Sequence, residues 1–303
     1  MTAEPTTEPT TGPTTELLTP GRLREWPLPD ANGDKESRGE LLVLGGTRTQ
    51  PGAVLLAGEA GLRAGAGKLA LATTGTTSAP LGVAVPEAQV LGLAEDAAGN
   101  LAVTAADAVV GRCASVAAVL VGPGFGDPEA SVELLRRVLP RLELPVVVDA
   151  VASAYLTEEP RGLAHLGGRA VLTVNVTELA RTAGVDESDV EDDPVAVARE
   201  VAERCGVVVL CGGTEKCVAE PGGRAWRIDG GGPGLGVSGS GDVQAGIVAG
   251  LVARGAEAAQ AAAWGGYLHA RIGERLAAAV GTVGFLAREL PPQVPAALAE
   301  LAQ

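Results

Sequence analysis

The sequence predicts an α/β protein, a three-layer α/β/α sandwich built on a mostly parallel central sheet. Three observations carry this expectation. Apolar runs of four or five residues rich in Val and Leu recur along the chain, several with Ala-rich helical stretches between them. The runs are continuously apolar rather than alternating, which marks strands covered on both faces by helices. The chain has 303 residues, 46% of them hydrophobic, which is enough for a sizeable core. Aromatic residues make up only 2%, so Val, Leu and Ala must build that core.

The elements follow in order. Residues 1–16 are Thr, Pro and Glu with almost no apolar side chains, a composition expected to stay disordered. Residues 17–303 are expected to form one domain, with no internal linker. Leu41-Leu42-Val43-Leu44 reads as a buried strand that ends in the turn Gly45-Gly46. Pro51-Gly52 opens a helix that runs to about Ala64 and is broken by Gly65-Ala66-Gly67. Further strands are read at Leu69–Ala72, Ala117–Val121, Pro145–Asp149, Ala170–Thr173 and Val207–Leu210. Asp127 stands where it can cap the helix after Gly122-Pro123-Gly124-Phe125-Gly126. The acidic run Glu187 to Asp193 reads as a solvated loop.

Composition removes several functional classes. A net charge of −14 opposes nucleic-acid binding, which needs clustered Lys and Arg. Cys113, Cys205, Cys211 and Cys217 contain no C-x-x-C pair, and His165 and His269 are the only histidines. Neither a zinc site nor a disulfide framework is expected, and small buried thiols in a reduced protein are the simpler reading. No apolar run reaches the roughly 18 residues of a membrane span. The first residues lack the basic start and apolar centre of a signal peptide, so a cytoplasmic protein is expected.

In parallel sheets, ligands bind beyond the carboxyl ends of strands. The segments that follow strands are therefore the candidates: Gly45-Gly46, Gly122 to Gly126, Asp149, Asn175 to Glu178, and Cys211 to Glu215. The most informative segment is Gly239-Ser240-Gly241-Asp242, which precedes the apolar stretch Val243 to Val252. Glycines let several amides turn toward one point, and a helix N-terminus adds partial positive charge, so an anion is held there. Asp242 stands beside that hole, where a carboxylate can take the proton of a hydroxyl attacking a phosphoryl group. The glycines from Gly230 to Gly236 read as a mobile loop able to close over a ligand. Neither a Walker P-loop nor a dinucleotide G-x-G-x-x-G stands at a strand–helix turn.

From about Leu18 to Leu301 these pieces resemble, in order, the ADP- or ATP-dependent NAD(P)H-hydrate dehydratases of the ribokinase-like superfamily. The matching segments include RGELLVLGGTRTQPGA from Arg38, VGPGFG from Val121, LTVNVTELARTAG from Leu172 and GPGLGVSGSGDVQAGIVAGLVARG from Gly232. The last of these is the specific one. The resemblance implies a ribokinase-like fold and a repair reaction. Hydrated NADH or NADPH is phosphorylated at its hydroxyl by ADP or ATP, and phosphate is then eliminated. It implies Asp242 as the base and Gly239, Ser240 and Gly241 at the nucleotide, together with Cys211, Gly212, Gly213, Thr214 and Glu215. It implies Ala53, Gly124, Gly126 and Asn175 at the substrate, Mg²⁺ across the phosphates with Glu178 as a candidate ligand, and a homo-oligomer.

The chain departs from the family pattern at three places. Cys211-Gly212 stands where the family usually has Lys-Gly, with Lys216 nearby in sequence on the next strand. Asn175 replaces the His of T-P-H-P-G-E, and Val151 replaces the second acid of D-A-D. These departures leave open a kinase of another small hydroxylated molecule, or a nucleotide-binding protein without turnover. Glu178 reads equally as a metal-site carboxylate and as a first-turn helix carboxylate. His269, Trp264 and Tyr267 share a helical stretch; a packed or capping role is expected for the first, and core or subunit contact for the others. Arg63 fits the family pattern but reads equally as a surface ion pair.

Overall fold

Short apolar runs between glycine turns become strands because both of their faces can be buried at once. The computed structural model describes residues 14–30, 32–213 and 215–301. The strands are β1 (Thr15–Leu17), β2 (Glu40–Leu44), β3 (Lys68–Thr74), β4 (Ala88–Leu93), β5 (Ala118–Val121), β6 (Val146–Asp149), β7 (Ala170–Val174), β8 (Val208–Cys211), β9 (Lys216–Ala219) and β10 (Ala225–Ile228). They form one sheet in the order β1-β10-β9-β8-β7-β6-β5-β2-β3-β4. From β8 to β4 every pairing is parallel. Only β9 runs against its neighbours. Four residues join β8 to β9, and so short a link closes only an antiparallel pair, because a parallel one needs a crossover.

Helices cover both faces. They are α1 (Pro20–Glu25), α2 (Pro51–Arg63), α3 (Gly75–Ala84), α4 (Ala106–Cys113), α5 (Pro128–Val138), α6 (Ser153–Glu158), α7 (Val176–Ala183), α8 (Glu187–Asp192), α9 (Pro194–Cys205), α10 (Ser240–Ala253), α11 (Ala258–Ala279) and α12 (Val294–Leu301). Leu41 and Val43 of β2 point into the layer that holds α2, α10 and α11, while Leu42 and Leu44 point into the layer of α4 to α9. This period of two inside a continuous apolar run gives the sheet its two cores. Helix α10 is buried on nearly all sides, and two of its glycines bring it against α2. A Cβ at Gly246 would lie 2.2 Å from the Ala57 carbonyl oxygen, and one at Gly250 would lie 2.3 Å from that of Gly61.

Asp127 caps α5 as expected: its carboxylate accepts from the Glu129 amide at 2.9 Å, with Pro128 at the first helical position. Asp127→Ala is expected to lower unfolding free energy by about 1 kcal/mol, measured by urea denaturation.

Two expectations are corrected. The tail expected over residues 1–16 lies outside the described residues up to 13, but Thr15 and Glu16 belong to β1, paired in parallel with β10. Backbone pairing and the Arg199 side chain, which donates to Thr14 O and Thr15 Oγ1 at 2.8 and 2.6 Å, hold a polar stretch that has no apolar pattern. The acidic run Glu187 to Asp193 is not a loop but contains α8. Asp186 and Asp189 form a capping box at its start, and Val190 anchors it in the core. The four cysteines are free and buried, as expected. Trp264 is core, with its indole N–H donating to Trp26 O at 2.9 Å. Arg63 is an ion-pair partner of Glu59 at 3.5 Å. Among the described residues no helix is long and apolar enough to cross a membrane.

Candidate active site

Strands β6, β7 and β8 end side by side, and the N-terminus of α10 points at the same edge. Between them lies a cleft of about 620 Å³. A larger hollow of about 1140 Å³ lies beside Lys68 and Arg112. It includes Glu40 and Lys68, the first residues of β2 and β3, and so lies at the strand ends opposite to those where parallel sheets bind ligands.

Gly239 caps α10 with φ 92°, a left-handed turn that suits glycine and that delivers Ser240, Gly241 and Asp242 as the first turn. All four line the cleft. The Ser240 amide is already spent on the Val237 carbonyl at 3.1 Å. The amides of Gly241 and Asp242 are the next in the first turn, where helix geometry provides no intrahelical acceptor. Serine therefore offers its hydroxyl rather than its amide. Its Oγ lies 3.0 Å from His269 Nε2.

Asp242 is half-buried at the cleft wall. Burial, and then the charge of Glu178, push its carboxyl up to about 6. Asp149, the last residue of β6, is 6% exposed. Burial and then the Asp242 charge hold its carboxyl well above the ordinary range, against a Thr173 hydroxyl that donates to it at 2.6 Å. Next to it Ala150 adopts φ 52°, a left-handed conformation that costs a non-glycine residue about 1–2 kcal/mol. Such strain is concentrated at functional edges.

Asn175 and Glu178 line the cleft from the start of α7 and form a capping box. Asn175 Oδ1 accepts from the Glu178 amide at 2.9 Å, and Glu178 Oε2 accepts from the Asn175 amide at 3.0 Å. Glu178 is therefore a first-turn helix carboxylate and a cleft residue at once. Burial raises its carboxyl above the usual value, partly opposed by that amide.

Other expected contacts are divided by the structure. Gly212 and Gly213 line the cleft; Thr214 lies outside the described residues. Cys211 does not face the cleft. It is 1% exposed and belongs to the core under α7 and α9, opposite Cys217 across the β8–β9 pair. Glu215 does not line the cleft either, because its carboxylate is taken by the Arg227 guanidinium. Ala53 and Gly124 pack together outside the cleft, where a Cβ at Gly124 would lie 2.9 Å from the Ala53 Cβ. Gly126 sits against Thr47 and Asn100. Ala53 lies in the first turn of α2, and Gly124 and Gly126 in the loop after β5, further along the same sheet edge.

The sequence reading missed the polar interior of the cleft. Lys216 Nζ donates to Gln244 Oε1 at 2.5 Å and lies 3.1 Å from His269 Nδ1. Both residues are buried, and both line the cleft with Lys216. The ammonium has no acceptor capacity, so Nδ1 accepts and Nε2 carries the ring proton toward Ser240. Burial, then the Lys216 charge, hold His269 well below its ordinary value, so the ring is neutral. His269 is thus packed, as expected, but it is packed against the candidate anion hole.

Comparisons with known proteins identify the family. A family model described as NAD(P)H-hydrate dehydratase matches residues 41–295. The ADP-dependent (S)-NAD(P)H-hydrate dehydratase of Xanthomonas campestris is 45% identical over 286 residues, covering 94% of this chain and 96% of that one. A bifunctional NAD(P)H-hydrate repair enzyme of Moorella thermoacetica is 35% identical over 94% of this chain, which spans 54% of its length. Among solved structures, the ADP/ATP-dependent NAD(P)H-hydrate dehydratase of Bacillus subtilis co-crystallised with ATP and Mg²⁺ matches with a TM-score of 0.77 at 24% identity, covering 94% of this chain and 98% of that one. A ribokinase-like superfamily protein of Enterococcus faecalis matches with a TM-score of 0.81 at 23% identity, covering 95% and 97%. The structural matches give a ribokinase-like fold. With the sequence match running through both the glycine turn and the sheet, the chain belongs to the NAD(P)H-hydrate dehydratase family.

Proposed function

We propose that this protein dehydrates hydrated NADH or NADPH at the expense of a nucleotide, with Asp242 as the base. The observation that carries the reading is Asp242 itself, a half-buried carboxylate in the first turn of α10 beside the free amides and the Ser240 hydroxyl. Near neutral pH it is mostly ionised, yet basic enough to accept a proton. It takes the proton of the substrate hydroxyl as that oxygen attacks the terminal phosphorus of the nucleotide. The bond from that phosphorus to the bridging oxygen breaks, and AMP or ADP leaves. The phosphate ester is a better leaving group than hydroxide, and its departure with a ring proton restores the nicotinamide double bond. ADP is the expected donor, because the 45% identical relative is named for ADP.

Gly239, Ser240, Gly241, Gly212 and Gly213 support the nucleotide phosphates in this reading, and the loop of Gly230 to Gly236 borders them. Asn175 faces the substrate, with Ala53, Gly124 and Gly126 further along the edge. Among the described residues no group of three or more His, Cys, Asp or Glu side chains is arranged as a metal site. Mg²⁺ does not require such a group, since it keeps waters and takes one or two carboxylates besides phosphate oxygens. Glu178, with one oxygen outside the capping box, would hold it there, and the ion would neutralise charge on the phosphates.

Free buried thiols accord with a reduced cytoplasmic setting. A homo-oligomer, which the family resemblance implies, belongs to the same proposal. The test of function is direct. Hydrated NADH is mixed with protein, Mg²⁺ and ADP or ATP, and absorbance at about 340 nm, where reduced nicotinamide absorbs, is expected to recover. Nucleotide consumption only with another alcohol would favour a different kinase, and binding without turnover an inactive nucleotide-binding protein.

A further inference from the structure

We propose that Lys216 is the phosphate-binding cation of this cleft and that, through His269, it also sets the Ser240 hydroxyl as a second donor to the same phosphate. The proposal rests on the nucleotide reading above and assigns the residue that receives the nucleotide's charge.

Lys216 opens β9 and is 5% exposed. The β8–β9 register explains its direction. Cys211 and Cys217 are paired, so they share the face toward α7 and α9, while Leu210 and Val218 share the face toward α10 and α11. Alternation puts Lys216 on that second face, beneath the start of α10. Its two partners, Gln244 and His269, are both neutral. Among the described residues no carboxylate lies within ion-pair distance of it, although fifteen such contacts occur elsewhere, all with other cations.

A buried ammonium without a counter-ion is costly, and proteins retain one where a ligand supplies the charge. The same isolation drives Lys216 down to about 8, mainly through burial. An ammonium has three donors, and two are engaged. The neighbour on the cleft side is Gly212, where a Cβ would lie 3.8 Å from Nζ. The absence of a side chain there leaves the third donor a way into the cleft.

His269 extends the effect. Accepting from Lys216 at Nδ1, it donates from Nε2 to Ser240 Oγ, so the Ser240 proton turns outward. One phosphate then meets an ammonium, a hydroxyl and the amides of Gly241 and Asp242. Charge-assisted bonds of this kind are about twice as strong as neutral ones.

The test compares ADP with adenosine, by calorimetry, in the wild type, Lys216→Met and Lys216→Gln. Loss of a charged donor is expected to weaken ADP by about 10- to 100-fold, while adenosine binding stays unchanged. Gln keeps a donor without charge, so it serves if the Met variant does not fold. Far-UV circular dichroism checks both. Equal weakening of ADP and adenosine would assign Lys216 a packing role and overturn the proposal. So would unchanged ADP affinity in a folded variant. A wild type that binds neither ADP nor ATP would instead remove the nucleotide reading, and this proposal with it.

Discussion

Asp242→Asn is expected to lower kcat by about 10²- to 10⁴-fold, the usual range for removing a positioned acid–base group, while ADP affinity stays near that of the parent. Asn keeps the shape and the amide cradle but cannot take a proton. In the parent, kcat is expected to rise as pH passes through about 6, where the Asp242 carboxyl ionises. Asp149 and Glu178 interact with Asp242, so the observed inflection belongs to the group of carboxylates. Stability should move the opposite way. An acid whose folded pKa is raised from 3.8 to about 6 holds its proton in the folded state at pH values where the unfolded chain has released it. The stabilisation is complete below about 4 and is lost as pH rises toward 6. Asp242→Asn, which never ionises, should therefore melt above the parent at pH 8, with the difference shrinking toward pH 4. An undiminished kcat would remove Asp242 from its assigned role.

Gly246→Ala is expected to destabilise the protein by about 3 kcal/mol, at the upper end of the overpacking range, read as a fall of several degrees in Tm. On helix propensity alone the sign would be opposite, since Ala is favoured over Gly by about 1 kcal/mol in a helix interior. The contact reverses it. The added Cβ would lie 2.2 Å from the Ala57 carbonyl oxygen and 2.8 Å from the Ala57 Cα. These are backbone atoms of α2, which cannot turn aside as a side chain does. Helix α10 would have to lift away, and its first turn carries Asp242, so kcat should fall as well. Gly111→Ala in α4 provides the control. A Cβ there meets nothing within 4 Å, and the change should stabilise by up to about 1 kcal/mol. A Gly246→Ala protein as stable as its parent would show that α2 and α10 yield more easily than their packing implies.

Most strands were legible because they are fully buried. Leu41–Leu44 is an uninterrupted apolar run with Gly45-Gly46 after it to mark the sheet edge, and Ala170–Leu172 is a shorter one that ends at Thr173. The glycine turn before α10 was equally plain, since two glycines flank a serine immediately before a long apolar stretch. β1 and α8 were missed because tertiary contacts hold them. The strand is fixed by pairing with β10 and by Arg199, and the acidic helix by its capping box and one buried valine.

The sequence by itself determined the layered α/β architecture and the glycine turn with its aspartate. Burial and glycine chemistry act locally and leave a local record. Only the tertiary structure decided which side chains enter the cleft. It turned Cys211 away, spent Glu215 on Arg227, and drew Lys216, Gln244 and His269 together from three separate elements. The physical reason is that strand register and helix rotation set direction. A shift of one residue in the β8–β9 pairing would exchange the thiol and the ammonium between the two faces.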